Sequence, residues 1–169
     1  MTFKKIIKLL TVVFVSIFLV SCGLLNVSKT HKNNQTKMSS KLTVTKIHDS
    51  IIRNKTTEQD LVNQFGNPDE KVMDSSRAEE LYYNDNDNEG GTLDRLDDKT
   101  DYFDTEKYVK ENYDDGNRFS SCYIYRGNKL GVEYVRFFIK DGLVRNYTYG
   151  DIIDKTAAKK DKYLRQIID

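Results

Sequence analysis

The order of apolar and polar positions separates a short N-terminal apolar run from the rest of the chain. This run extends from Leu9 to Val20, follows three lysines and precedes Ser21 and Cys22. About 12 residues would form a helix of roughly 18 Å, which is too short for a hydrocarbon core of about 30 Å. A basic start, a short apolar run and a cleavage motif together predict a signal peptide over residues 1–21.

The motif Leu19-Val20-Ser21-Cys22 resembles the lipobox of bacterial lipoproteins. The resemblance implies that the Cys22 thiol is lipidated with a diacylglyceryl group and becomes the mature N-terminus. The expected partner is therefore a membrane, contacted through acyl chains and not through a spanning helix. The expected location is the bacterial cell envelope, on the outer membrane of a two-membrane organism or otherwise on the outer face of the plasma membrane. The alternative is a signal with an incidental cysteine.

Polar residues dominate the next segment, residues 22–46, which contains five lysines and no acidic residue. Such a composition cannot bury enough apolar surface to order itself, so we predict a flexible tether. Its lysines are either solvated or in contact with anionic lipid headgroups.

A helical pattern opens the predicted folded domain, residues 47–169. Ile47, Ile51 and Ile52 recur at helical spacing. Thr57 is the predicted N-cap of a second helix, which the glycine and proline of Gly66-Asn67-Pro68 should end. The sequence therefore predicts two N-terminal helices.

Strand patterns follow these helices. Glu80–Tyr83 is a possible short strand, and three further strands are predicted at residues 119–126, 130–140 and 143–149, joined at Gly127-Asn128 and Asp141-Gly142. In the middle strand, Val135, Phe137 and Ile139 are expected to face the helices. A C-terminal helix is predicted over residues 152–168, with lysines that are either solvated or in contact with anionic lipid. The expected class is α+β, with a three-stranded antiparallel meander.

The run from Ile52 to Pro68, with Thr57, Leu61, Phe65 and Gly66 at its fixed positions, precedes an aromatic strand and an Asp-Gly hairpin. This order resembles the SmpA/OmlA (BamE-like) family of small outer-membrane lipoproteins and other domains of the same fold, including β-lactamase-inhibitor-like modules. The resemblance implies a non-catalytic scaffold that binds envelope proteins. Lys55 and the segment 84–118 depart from the family pattern, so the chain is expected to be a divergent member.

Charge is unevenly distributed. Removal of residues 1–21 takes away three lysines and changes the formal charge from +1 to −2, which argues against nucleic-acid binding. The predicted acidic insertion, residues 84–118, has twelve acidic and five basic residues. Its aspartates could offer an acidic face to a basic partner: Asp94, Asp97, Asp98, Asp101 and Asp104.

Residues suited to catalysis are scarce. Histidine occurs only at positions 31 and 48, and Cys122, between serine and tyrosine in a predicted strand, is expected to be a small buried residue. Asp85, Asp87 and Glu89 imitate the start of a calcium loop, but its twelfth position is leucine, so a weak site or a solvated loop are the alternatives. We expect no enzyme activity, no small-molecule substrate and no cofactor.

Aromatic residues supply the other partner signal. Tyrosine occurs eleven times, and many tyrosines lie in predicted strands. Two short helices cannot easily bury all of them, and exposed tyrosines anchor protein interfaces well. The candidate partner-binding residues are Tyr134, Phe138, Tyr147 and Tyr149. The expected function is a lipid-anchored scaffold, for example in outer-membrane protein assembly or envelope integrity; the alternative is an inhibitor or immunity lipoprotein that captures a toxin or hydrolase.

Overall fold

The protein folds around one antiparallel sheet with helices on both faces. A computed structural model describes residues 42–86, 89–110 and 119–168. The sheet has four strands in the order β1-β2-β3-β4: β1 Glu70–Val72, β2 Ser121–Tyr125, β3 Val135–Lys140 and β4 Leu143–Tyr149. The helices are α1 Val44–Ser50, α2 Glu58–Phe65, α3 Ser75–Asn86, α4 Thr92–Lys99 and α5 Lys155–Ala158, followed by a 3₁₀ helix at Leu164–Gln166. The predicted α+β class is confirmed, whereas the predicted three strands are four.

Helix α2 begins and ends where its sequence predicts. The Thr57 hydroxyl accepts from the Asp60 N–H at 3.1 Å, and the Asp60 carboxylate accepts from the Thr57 N–H at 2.9 Å. These reciprocal bonds satisfy two of the donors that a helix start leaves unpaired. At the other end Gly66 has φ 89°, a conformation that side chains disfavour, so glycine suits this stop.

One face of the sheet packs against α1, α2, α4 and the C-terminal segment. Val135, Phe137 and Ile139 are all buried there, which confirms their predicted orientation. They pack in one cluster with residues of the first two helices, Ile47, Ile51, Leu61 and Phe65. Because side chains alternate along a strand, the residues between them point to the opposite face.

Helix α3 covers that opposite face. Ala78 and Leu81 pack there in a buried cluster with Cys122 and Phe138. The predicted strand at Glu80–Tyr83 is therefore wrong, because these residues belong to α3. Leu81 lies three positions after Ala78, a spacing that puts both on one side of a helix and favours this packing.

Two strand connections test the turn predictions. Asp141 and Gly142 have φ 54° and 73°, as a two-residue hairpin turn requires, so the predicted β3–β4 turn is confirmed. Residues 126–134 separate β2 from β3, so Gly127-Asn128 does not form the predicted two-residue turn. Strand β1, which the sequence analysis missed, is short, and it pairs Glu70 with Ile124.

The C-terminal segment is held by a buried aspartate and is not one continuous helix. Asp161 accepts from the N–H groups of Thr45 at 2.8 Å, Tyr163 at 3.0 Å and Leu164 at 3.2 Å. These bonds turn the chain between α5 and the 3₁₀ helix, which replaces the predicted helix over residues 152–168. Leu42 and Val44 are buried, so the fold includes residues that were predicted to belong to the tether.

Candidate functional site

The predicted lipidation site lies outside the part of the chain that the structure describes. Cys22 and residues 1–21 both precede the first described residue, Leu42. Within residues 42–86, 89–110 and 119–168, no helix has the length and apolar character needed to cross a membrane.

Asp85 of the calcium candidate has a different role. Its carboxylate accepts from the Tyr134 hydroxyl at 2.9 Å and from the Arg136 guanidinium at 2.5 Å, and also from the Thr148 hydroxyl. It therefore fixes the end of α3 to β3 and β4. Glu89 is exposed and Asp87 lies outside the described residues. No described group of three His, Cys, Asp or Glu side chains is arranged to hold a metal ion.

The proposed aromatic partner surface is mostly interior. Phe138 is fully buried beneath α3, and Tyr147 and Tyr149 are buried on the other face of the sheet. Only Tyr134 is partly accessible, and its hydroxyl is bonded to Asp85. The expectation that these four side chains form an exposed surface is wrong, because α3 and the segment after α4 cover the sheet on both sides.

Three tyrosine hydroxyls meet inside the protein. The Tyr102 hydroxyl bonds to that of Tyr147 at 2.9 Å and to that of Tyr149 at 2.7 Å. Burial raises the pKa of all three well above 10.0, so they stay neutral. Tyr102 comes from the predicted acidic insertion, and the sequence carried no local signal for its burial because its neighbours are mostly charged.

The same segment contributes a buried charge. Glu106, whose side chain is 3% exposed, pairs with Arg53 at 2.7 Å. The backbone of residues 107–109 also bonds to that of Arg53. The described part of segment 84–118 is therefore built into the fold through Tyr102 and Glu106.

The residues with the greatest intrinsic reactivity are enclosed. His48 is buried, and its imidazole contacts the Tyr102 carbonyl, the Thr105 hydroxyl and the Tyr163 hydroxyl at 3.0–3.2 Å. Burial raises the pKa of the Cys122 thiol to about 12, which disfavours the nucleophilic thiolate. The predicted burial of Cys122 is confirmed. Both residues are placed to stabilise the core.

The predicted acidic face is exposed. All five aspartates named for it lie on the outside of α4 or in the turn after it: Asp94, Asp97, Asp98, Asp101 and Asp104. A cavity of about 60 Å³ lies beside Asp94 on this surface.

A much larger groove lies where the chain enters the described domain. Its volume is about 570 Å³, within the range of small-molecule sites. Thr43 and Thr45 form one wall beside the domain's first described residues. The other walls come from the β2–β3 connection and the C-terminal segment: Asn128, Lys129, Asp154, Thr156, Ala157, Lys160, Asp161, Lys162 and Arg165.

Positive charge dominates the available groups in this basic groove. Its two carboxylates are already engaged, Asp154 with the N–H groups of Thr156 and Ala157 and Asp161 with three backbone N–H groups. The Lys162 ammonium donates to the Tyr163 hydroxyl at 3.0 Å, which raises the pKa of Lys162. The charged groups of the remaining lining residues, Lys129, Lys160 and Arg165, have no partner among the described residues.

The lysines near the C-terminus were predicted to lie on the surface of a helix, whereas Lys160 and Lys162 line the groove. Lys129 was missed, since it lies in a connection that was read as a tight turn. Comparisons of the chain with models of known protein families, with curated proteins and with solved structures found no match.

Proposed function

We propose that the protein is a lipid-anchored, non-catalytic binding module of the bacterial cell envelope. The observation that carries the proposal is the run of three lysines, a short apolar stretch and Leu19-Val20-Ser21-Cys22. That combination is typical of a lipoprotein signal. The domain that follows would be displayed at the membrane surface.

The site geometry supports a binding role over catalysis. The described histidine and thiol, His48 and Cys122, are buried beneath packed side chains, where a substrate would not reach them. The accessible chemistry consists of the basic groove and the aspartates around α4. Charged groups arranged in this way favour recognition of a partner.

We further propose that the chain is a divergent member of the SmpA/OmlA (BamE-like) family. The support is helix α2, with its Thr57 cap and its Gly66 and Pro68 stop, placed before an antiparallel sheet. Helix α3 and the segment around α4 would be additions specific to this chain. The family's scaffold role is the source of the proposed protein-binding activity.

Lipid labelling in bacteria tests the anchor. Cells expressing the full chain are fed an alkyne-bearing fatty acid, and the protein is scored for label and for recovery with membranes. We expect Cys22→Ala to lose the label and Cys122→Ala to keep it. Equal labelling of both variants would overturn the proposal.

In-cell crosslinking tests the binding role. The lipidated wild-type chain should crosslink to at least one envelope protein, identified by mass spectrometry. A crosslink pattern that matches that of an unrelated lipoprotein of similar abundance would contradict a specific scaffold role.

The inhibitor or immunity role remains a second candidate because the five aspartates around α4 are exposed. A basic toxin or hydrolase held by these side chains should dissociate steeply as salt rises. Capture that is insensitive to salt and to substitution of Asp97 and Asp98 by asparagine would contradict this role.

A further inference from the structure

We propose that the basic groove binds the phosphate of anionic phospholipid headgroups and so docks the domain on the membrane that holds its anchor. This inference rests on the proposed lipid anchor. It assigns the domain a class of ligand and identifies the face of the domain that contacts the membrane.

The groove offers hydrogen-bond donors to a ligand. The side-chain oxygens of Thr43 and Thr45 accept from the N–H groups of Lys46 and Lys162, both at 3.0 Å. Each hydroxyl therefore retains its proton for donation to a ligand. Together with the cations of Lys129, Lys160 and Arg165, they form a set of groups that suits phosphate oxygens.

The acidic groups of the groove reduce its positive charge but do not cancel it. Asp161 is buried, and its two oxygens accept three backbone N–H bonds. Asp154 caps α5 through the N–H groups of Thr156 and Ala157, at 2.8 and 3.0 Å. Both carboxylates keep their negative charge, and the four basic lining residues, Lys129, Lys160, Lys162 and Arg165, outnumber them, so the formal charge of the lining is four minus two, or +2.

The position of the groove favours a lipid source for the phosphate. The chain from Cys22 enters the domain at Leu42, and Thr43 and Thr45 line the groove immediately after it. By the random-coil estimate, a chain of about 20 residues spans roughly 25 Å. An anchored domain therefore meets headgroups at high local concentration, with this groove beside the point of attachment.

The positive charge of the predicted tether also favours a lipid source for the phosphate. Residues 22–41, which precede the described domain, carry four lysines and no acid, so they would approach the same anionic surface as the groove. The cavity, of about 570 Å³, has room for a phosphate together with the glycerol part of a headgroup. Soluble phosphate shares the same chemistry and is the alternative source.

Lysine labelling on vesicles tests the proposal. The purified lipidated chain is reconstituted into phosphatidylcholine vesicles with or without 30% phosphatidylglycerol, and acetylation by an amine-reactive reagent is followed by peptide mass spectrometry. We expect acetylation of Lys129 and Lys160 to slow by about fivefold on the anionic vesicles. Lys55 and Lys99, which are exposed elsewhere, are the internal controls and should change by less than about twofold.

Two single variants distinguish binding in the groove from general electrostatic attraction to the anionic vesicle. Arg165→Gln removes a groove cation and leaves both reporter lysines, so the protection should fall by at least half. Lys55→Gln removes the same charge outside the groove and should leave the protection unchanged. Equal slowing at all four lysines, or equal protection in both variants, would overturn the groove as a binding site.

Further measurements identify the source of the phosphate and test the groove separately from the proposed lipidation of Cys22. Full protection by 10 mM inorganic phosphate on neutral vesicles would overturn the membrane assignment. The N-terminal mass of the same preparation reports lipidation of Cys22. If the chain is unmodified, the anchor proposal fails, and the groove is still judged by the same labelling of the unmodified chain mixed with the vesicles.

Discussion

Two charged segments, residues 92–106 and 154–165, make similar buried contacts but have different exposed surfaces. Each buries one tyrosine completely, Tyr102 in the first and Tyr163 in the second, and the two rings lie 4.9 Å apart. His48 packs against both rings, at 4.8 and 4.6 Å. Outside, the first segment presents aspartates beside a cavity of about 60 Å³, whereas the second borders the basic groove of about 570 Å³.

The comparison shows that charge along the sequence is a poor guide to whether a segment belongs to the core. Both segments are strongly charged, and both bury several side chains in the core, among them Leu96 and Tyr102 in the first and Tyr163 and Leu164 in the second. What separates them is a cavity, which arises from the way the C-terminal segment meets residues 43–45 and 128–129. The second segment therefore combines basic side chains with a cavity that has space for a ligand.

The largest effect should follow from removing the buried ring of Tyr102. We expect Tyr102→Ala to lower the free energy of unfolding by about 3–5 kcal/mol, because a fully buried aromatic ring and its two hydroxyl bonds are lost. Phe103→Ala is the matched control, since Phe103 is 36% exposed and should cost less than about 1 kcal/mol. Urea unfolding measures both free energies, and similar costs would show that Tyr102 does not hold the segment in the core.

Deletion of residues 85–118 is a poor test of function, because it removes Tyr102 and Glu106 together and would destabilise the fold.

Alkaline pH should weaken the fold through the tyrosine cluster. An ordinary tyrosine has a pKa of 10.0, and burial raises the pKa of Tyr102, Tyr147 and Tyr149 in the folded state. The stabilisation is complete below pH 10 and is lost as pH rises further, since only the unfolded chain then releases these protons. Each tyrosine should contribute about 1.4 kcal/mol per pH unit.

Urea unfolding between pH 9 and 11 measures this slope. The background is Cys122→Ala, because the raised pKa of that thiol adds a slope of the same sign above pH 9.0. Tyr147→Phe should reduce the slope, and the same substitution at exposed Tyr83 should not. Equal slopes in the two variants would show that the cluster does not control alkaline stability.

A smaller effect should link the two segments directly. Tyr102 and Tyr163 meet edge to face, and aromatic pairs of this kind contribute about 0.5–1.5 kcal/mol beyond burial. A double-mutant cycle of Tyr102→Leu and Tyr163→Leu, measured by urea unfolding, should therefore show a coupling energy of that size. A coupling energy near zero would mean that the two segments are anchored independently.

The smallest effects are expected on the outer surfaces. Asp97→Asn and Lys160→Gln should each change the free energy of unfolding by less than about 0.5 kcal/mol, because both side chains are exposed. Thermal or urea unfolding checks this expectation. A cost above 1 kcal/mol at either position would show that the outer charges also stabilise the fold.

Local patterns in the sequence predicted the parts of the fold that depend on neighbouring residues. The cap of α2 at Thr57, its stop at Gly66 and the Asp141-Gly142 turn follow from contacts within a few residues. The inward face of β3 follows from strict alternation. Each of these predictions is confirmed by the described structure.

The features that were missed depend on contacts distant in sequence. Tyr82 and Tyr83 favoured a strand by β propensity, but the burial of Ala78 and Leu81 against the sheet selects a helix instead. Tyr102 lies among charged residues, and its burial depends on partners distant in sequence: His48 and Tyr163 pack on its ring, and two tyrosines of β4 bond its hydroxyl. The groove is likewise formed by three separate parts of the chain, so no single stretch of sequence encodes it.

The bonds from Thr45 to Asp161 and Lys162 also set an order of events when the protein is made. They join residues separated by 116 and 117 positions, so α1 cannot be secured until the last described residues are present. Contacts between such distant residues form late, after the loop between them has closed. During synthesis α1 therefore waits for Asp161 and Lys162, and the domain completes its fold only after these residues have been made.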